Sequence, residues 1–116
     1  MKYYTETHQW CDLDTHHVGL SEFAKQELGE IVYLKMPEIN TKVQAGQELC
    51  ILESTKAAAD VYAPYSGIVS EINKDAIDFI NEDPEGKGWL VKITPSGPIS
   101  REELLDESAY LKLLQG

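Results

Sequence analysis

Lys56 is the residue whose type and surroundings best suit chemistry in this sequence. It interrupts the stretch "ILESTKAAADVYAP", in which a continuous apolar run at 49–52 precedes it and alternating small and polar residues at 57–62 follow it. Both patterns predict short β-strands. Lys56 is therefore expected at the turn of a β-hairpin, where a primary amine can act as a nucleophile or as the point of attachment for another group.

The neighbours of Lys56 favour attachment over catalysis. Exposed turns commonly carry polar residues, so a solvated lysine is the ordinary interpretation. Here, however, the flanking residues are all small, namely Ser54, Thr55 and three alanines at 57–59. They leave the amine protruding, and they provide none of the desolvation that a catalytic amine needs. Lys56 is thus better suited to carrying a group than to catalysing a reaction.

Other side chains of potential reactivity give weaker signals. His16 and His17 are adjacent on a predicted strand, so their side chains point to opposite faces and would chelate a metal poorly. Cys11 and Cys50 show neither C-x-x-C nor zinc spacing, which favours two reduced thiols and leaves a disulfide between them as the alternative. We expect no metal site.

The charge balance narrows the range of partners. The formal net charge is −10 over 116 residues. Nucleic acids and anionic lipids attract clusters of Lys and Arg, which this sequence does not have. No apolar run reaches the roughly 18 residues of a membrane span, and the stretch "MKYYTETHQW" is polar where a secretory signal would be apolar. We expect a cytoplasmic protein with no nucleic-acid or membrane partner, whose partners present basic surfaces.

Short strands are the elements that must position Lys56. Turn residues separate predicted strands at 3–9, 16–20, 30–36, 48–53, 58–62, 67–72 and 89–94. A short helix is predicted over "EFAKQEL", capped by Ser21 and closed by Gly29 in the left-handed helical conformation. A C-terminal helix is predicted over about 100–114, with Ser100 and Glu103 as a capping box and leucines such as Leu111 docking it on the sheet. The expected fold is a single, mainly β domain over 1–116, a flattened sandwich or barrel.

The whole ordered set of segments resembles a known family. It runs from "YTETHQW" through "VGLSEFAKQELGEIVYLKMPEINTKVQAGQELCILESTKAAADVYAPYSGIVSEIN" to "NEDPEGKGWLVKITPS" and the tail "LLDESAYLKLL". This set is similar to the glycine cleavage system H proteins, which are lipoyl carriers with the flattened, hammerhead-type sandwich of lipoyl and biotinyl domains. In that family the lysine of E-S-x-K-A is joined to lipoic acid, and that position is Lys56 here. The resemblance implies that Glu53, Ser54 and Ala57 are recognised by the lipoate-attaching enzyme.

The resemblance also bears on the cofactor and the partners. Biotin carriers place methionines beside their lysine, whereas Thr55 and Ala57 flank Lys56, so biotin is disfavoured. The implied role is a carrier without catalytic turnover, because the cofactor supplies the chemistry and the protein supplies position and recognition. The arm would take an aminomethyl group from a pyridoxal phosphate-dependent glycine decarboxylase and present it to a tetrahydrofolate-dependent aminomethyltransferase. Dihydrolipoyl dehydrogenase would then reoxidise the arm.

One position departs from the family pattern. Family members read H-E-W near the N-terminus, where the glutamate holds the cationic aminomethyl amine in a surface cleft, whereas this sequence reads His8, Gln9 and Trp10. A neutral amide loses the charge-assisted hydrogen bond. The second acid of that cleft corresponds to Asp60, so His8, Gln9 and Asp60 are the candidate cleft residues. Two alternatives follow, a lipoyl relay serving other 2-oxoacid dehydrogenases or another redox partner, and an interaction domain that is not lipoylated.

Overall fold

The computed structural model describes residues 1–102 and 104–116, and within them it is mainly β. The strands are β1 (Lys2–Tyr4), β2 (Gln9–Asp12), β3 (His17–Leu20), β4 (Ile31–Lys35), β5 (Lys42–Val43), β6 (Glu48–Ser54), β7 (Ala58–Tyr62), β8 (Gly67–Ile72) and β9 (Val91–Pro95). The helices are α1 (Glu22–Leu28), α2 (Ala76–Phe79) and α3 (Glu107–Gln115). The predicted fold class, with a short internal helix and a C-terminal helix, is confirmed.

Two antiparallel sheets make up the body of the molecule. The six-stranded sheet has the order β1-β2-β3-β9-β8-β5, and the three-stranded sheet has the order β4-β6-β7. The molecule measures 37 × 35 × 21 Å, which is the predicted flattened shape. Both sheets contribute to one core, in which Val18, Leu52, Val61, Val69 and Ile93 are fully buried. Each such side chain contributes about 1.5–3 kcal/mol relative to exposure, so β6 and β7 are firmly anchored.

Helix α1 begins as predicted and ends differently. The Oγ of Ser21 accepts a hydrogen bond from the Ala24 N–H at 3.2 Å, which confirms the N-cap. Gly29 donates its N–H to the Lys25 carbonyl oxygen, but its φ of 82° is paired with a ψ of −154°. The predicted left-handed helical conformation is therefore wrong, because the chain extends directly into β4. This region of backbone space is essentially restricted to glycine.

The predicted strand at 3–9 is wrong, since β1 and β2 replace it as a hairpin. Their turn is closed by the His8 N–H, which donates to the Thr5 carbonyl oxygen at 3.0 Å. His8 has a φ of 71°, a conformation that glycine or asparagine usually signals in a sequence. Residues 5–8 include no Gly, Pro, Asn or Asp, so no turn signal marks this position in the sequence. Strand β5 and helix α2 lie between the predicted strands, where the sequence predicts neither a strand nor a helix.

The C-terminal helix starts later than predicted, at Glu107 rather than near residue 100. Asp106 is its N-cap, and its Oδ1 accepts the Ala109 N–H at 2.8 Å. The predicted capping box depends on Glu103, which lies outside the described residues. Leu111 is half exposed, and the helix docks through the buried ring of Tyr110, with Leu114 packed against the same cluster. That ring stacks on Tyr4 with the centroids 4.4 Å apart.

Candidate functional site

Lys56 lies at the tip of the hairpin formed by β6 and β7, in which Glu53 pairs with Ala58. The Ser54 hydroxyl accepts hydrogen bonds from the backbone N–H of Lys56 at 3.1 Å and of Ala57 at 3.0 Å. It also donates to the Ala57 carbonyl oxygen at 3.0 Å. One donation and two acceptances use the full capacity of a hydroxyl. Ser54 therefore fixes the shape of the turn that presents Lys56.

The end of helix α1 supports this hairpin tip from another part of the chain. The Thr55 N–H donates to the Glu30 carbonyl oxygen at 3.0 Å. A Cβ added to Gly29 would lie 3.4 Å from the Thr55 Oγ1 and 3.6 Å from the Lys56 Cε. The lysine side chain thus passes close over a glycine backbone, while Lys56 as a whole remains exposed. The tip is held in place and its amine stays accessible.

The outer side of β7 leads from Lys56 to a cavity. Ala58, Asp60 and Tyr62 alternate with residues of the inner side and therefore share the outer face. Ala58 and Asp60 are exposed, and Tyr62 is half-buried. Tyr62 also lines a cavity of about 340 Å³. Alanine at 58 leaves open the surface between the hairpin tip and this cavity.

The cavity has a mixed lining drawn from four separate segments of the chain. Its apolar side is formed by Ala45, Tyr62, Ala63, Pro64 and Leu105, and its polar side by Thr5, Glu6, Thr7, Gln9 and Glu102. An apolar wall next to hydroxyl, amide and carboxylate groups suits a long apolar group with a polar or cationic end. The carboxylates at this cavity belong to the exposed residues Glu6 and Glu102.

Gln9 lines this cavity with an amide that is already engaged within the protein. The residue is 1% exposed. Its Oε1 accepts hydrogen bonds from the hydroxyls of Thr5 and Thr7, and its Nε2 donates to the Thr7 carbonyl oxygen at 2.7 Å. The oxygen and one of the two N–H groups are therefore satisfied internally, which leaves little capacity for a guest.

The other two candidate cleft residues, His8 and Asp60, do not line this cavity. His8 faces α3, with its Nδ1 2.7 Å from the Tyr110 hydroxyl and its ring centroid 5.0 Å from that of Phe23. Asp60 is exposed on β7, one pleat nearer to Lys56 than Tyr62. Of the three candidates, the structure places only Gln9 in the lining of the cavity. The role of His8 and Asp60 in a cleft stays a prediction.

The two cysteines lie outside this site and are unreactive. Cys11 and Cys50 are both buried and free, so the disulfide alternative is not realised. Burial raises the pKa of each thiol to about 12. Both thiols are therefore protonated at neutral pH and inert as nucleophiles. Within residues 1–102 and 104–116, no group of three or more His, Cys, Asp or Glu side chains is arranged to hold a metal ion.

Comparison with known proteins decides the family. A model of the glycine cleavage H-protein family matches residues 2–116. The chain belongs to the glycine cleavage H-protein family. The H protein of Thermotoga maritima is 44% identical to it over 115 residues, which cover 95% of this chain and 93% of the relative. That of Thermus thermophilus is 35% identical over 119 residues, covering 98% and 93% respectively.

A solved structure of an H protein supports the same assignment. The crystal structure of the glycine cleavage system H protein from Mycobacterium marinum matches with a TM-score of 0.89 and 34% sequence identity. The match covers 99% of this chain and 97% of the other. In the described part of the chain, no helix has the length and apolar character needed to cross a bilayer.

Several residues around this H-protein cavity were not anticipated from the sequence. Thr5 and Thr7 hold the Gln9 amide, and Tyr62 joins the outer face of β7 to the cavity. The Thr-x-Thr-x-Gln spacing was visible in the sequence but was interpreted as a continuous strand. The segment at 45–46 joins the cavity only through the packing of separate loops, and no local signal could have placed it there.

Proposed function

We propose that Lys56 carries lipoic acid in amide linkage and that this H protein is a lipoyl carrier of glycine cleavage. The observation that carries the proposal is an exposed lysine held at the tip of an ordered hairpin, with an open face leading to a nearby cavity. Lipoic acid, when attached, supplies a dithiolane that accepts and delivers an aminomethyl group. The protein's own residues supply the anchor, the path and the shelter.

The residues along this path fit such a group. A flexible apolar arm can lie over Ala58 without meeting a large side chain. The apolar wall of the cavity, with Tyr62 and Leu105, suits the chain of an arm. Glu6 and Glu102 at the same cavity suit a positively charged end. The small residue beside the anchor and the mixed lining of the cavity both support a lipoyl arm on Lys56.

The partners follow from this role. They are the lipoate-attaching enzyme, a pyridoxal phosphate-dependent glycine decarboxylase, a tetrahydrofolate-dependent aminomethyltransferase and dihydrolipoyl dehydrogenase. We propose that the carrier turns over nothing itself, since its reactive end acts only inside partner sites and gains from its high effective concentration there. We place it in the cytoplasm, because free buried thiols are typical of reducing compartments.

Reconstitution tests this proposal. The chain is expressed with a lipoate source, its lipoyl content is verified by intact mass, and it is then mixed with the three glycine cleavage enzymes. We expect lipoyl-dependent formation of methylenetetrahydrofolate from glycine, and none with the unlipoylated protein. Efficient lipoylation without glycine cleavage would instead support the relay function. The engaged amide of Gln9 favours that second candidate, because it leaves little capacity to hold a cationic group.

Gln9→Glu tests how far position 9 governs this choice. A carboxylate at position 9 would add a negative charge to the cavity lining. The gain over a neutral hydrogen bond is about 1 kcal/mol, or about fivefold. We expect the loaded variant to release ammonia and formaldehyde about five times more slowly than the loaded wild type, with unchanged lipoylation of Lys56.

The same substitution has an expected cost in stability. The Thr7 carbonyl oxygen would lose the N–H that Gln9 donates to it, at about 1–3 kcal/mol. Urea unfolding measures this cost. Equal release rates for the two proteins would show that position 9 does not govern handling of the aminomethyl group. The relay function would then lose its support from this residue.

A further inference from the structure

Three exposed apolar side chains adjoin a groove beside the Lys56 hairpin. We call Val32, Tyr33 and Ile77 the β4 edge patch. Val32 and Tyr33 are 53% and 51% exposed. The groove has a volume of about 380 Å³, and Leu34, Met36 and Ile72 also line it. Single exposed apolar residues are ordinary, but a cluster around an apolar groove marks an interaction surface.

The edge of β4 is closed to strand pairing near the hairpin. The Ile31 N–H donates to the Asn81 Oδ1 at 2.7 Å, and the Asn81 Nδ2 donates to the Ile31 carbonyl oxygen at 3.0 Å. The pairing of β4 with β6 also shifts register between Ile31 and Tyr33. A covered and bulged edge resists addition of another strand. An occupant of the β4 edge patch therefore contacts side chains, which disfavours edge-to-edge pairing with a second copy of the chain.

Acidic groups border the patch on the side of the hairpin. Tyr33 pairs directly with Glu53, so the two side chains lie next to each other on the same face of the sheet. Glu53 and Glu30 are exposed, and neither forms an ion pair with any described residue. Lys35 follows on the same strand, and Lys74 lines the groove. The matching partner surface has an apolar side chain for the groove and basic side chains opposite the glutamates.

The distance between Tyr33 and Lys56 indicates which partner binds the β4 edge patch. Glu53 lies three residues before Lys56, which sits in the turn just beyond the end of β6, and Tyr33 pairs with Glu53 on the neighbouring strand. Tyr33 therefore lies roughly 11 Å from Lys56. A standard interface covers about 800 Å² of each partner, which corresponds to a radius of about 16 Å. An interface of this size centred on the Lys56 amine would therefore extend over Tyr33. Enzymes that act at the far end of a long arm are under no such constraint.

We propose that the β4 edge patch, with Glu53, is the docking surface for the lipoate-attaching enzyme. This proposal rests on the proposed lipoylation of Lys56 and extends it to a surface outside the hairpin. Tyr33 is the aromatic anchor and Glu53 the charged neighbour that pairs with a basic side chain of that enzyme. Aromatic anchors at the centre of an interface commonly contribute the most to affinity.

Lipoylation kinetics test the proposal. Wild type, Tyr33→Ser and Glu53→Gln are incubated as apo proteins with a lipoate–protein ligase, lipoate and ATP, and lipoyl mass is followed over time. Leu111→Ser is the matched control, because Leu111 is 50% exposed on α3. We expect Tyr33→Ser to raise the KM for the carrier about tenfold with kcat within about twofold. We expect Glu53→Gln to weaken the dependence of the rate on salt.

The possible results of these experiments distinguish the docking role of the β4 edge patch from the proposed lipoyl-carrier function. If Tyr33→Ser and Leu111→Ser are both lipoylated at the wild-type rate, with unchanged melting temperatures, the docking role is overturned and the proposed function is left intact. Absence of lipoyl mass on the wild type would overturn the proposed function and the docking role together. A wild-type dimer that Tyr33→Ser dissociates in light scattering would reassign the patch to self-association. Loss of glycine cleavage by prelipoylated Tyr33→Ser, with normal lipoylation, would reassign it to a cleavage enzyme.

Discussion

Lys56→Arg should abolish lipoylation completely. The substitution keeps a positive charge at the hairpin tip but removes the primary amine that can form an amide. The turn itself depends on the Ser54 hydroxyl and on backbone groups, which arginine leaves in place. We therefore expect no lipoyl mass after expression with lipoate, and a free energy of unfolding within about 0.5 kcal/mol of the wild type, as for other surface substitutions.

Lys42→Arg is the matched control for this experiment. Lys42 is an exposed lysine on β5 of the six-stranded sheet. The Lys42→Arg variant should acquire a single lipoyl group, as the wild type does. Lipoyl mass that persists on Lys56→Arg would mean that another lysine is modified. Peptide mapping of that product would then locate the attachment site, and the assignment of Lys56 would be overturned.

Gly29→Ala should destabilise the protein by about 1–3 kcal/mol. Gly29 combines a φ of 82° with a ψ of −154°, and a residue with a Cβ adopts this conformation only with strain of that size. The added methyl itself would meet the hairpin tip only at van der Waals distance, 3.4 Å from the Thr55 Oγ1, so the strain comes from the backbone conformation. Urea unfolding measures the loss of stability. Faster amide exchange of Thr55, whose N–H donates to the Glu30 carbonyl oxygen, would report the loosened tip.

Gly97→Ala distinguishes this strain from a general effect of replacing glycine. A Cβ at Gly97 would meet no atom within 4 Å, and its φ lies outside the positive range. Substitution there should leave stability unchanged or raise it by a few tenths of a kcal/mol, because alanine restricts the unfolded chain. If both variants unfold at the same urea concentration, Gly29 is not under conformational constraint and α1 does not support the hairpin in the way described.

Local patterns were sufficient for the hairpin and for the family. The apolar run and the alternation on either side of Lys56 predicted two strands, and the structure has β6 at Glu48–Ser54 and β7 at Ala58–Tyr62. Ser21 before "EFAKQEL" predicted the N-cap of α1. These features depend on residues close in sequence, whose preferences act within one strand or one turn. The ordered motifs likewise predicted membership of the H-protein family, which the comparisons confirm.

Only the tertiary structure decided what surrounds the hairpin. The turn at 5–8 requires His8 to take a positive φ, which the backbone of an isolated segment would rarely adopt. Tyr110 anchors α3 because the ring of Tyr4 lies opposite it, more than a hundred residues away in sequence. The cavity that Gln9 lines is likewise assembled from segments far apart in the chain. The residues next to Lys56 in the sequence were sufficient to predict its position at a hairpin tip. The cavity and the β4 edge patch could not be predicted in this way, because both are formed by contacts between residues that are far apart in the sequence.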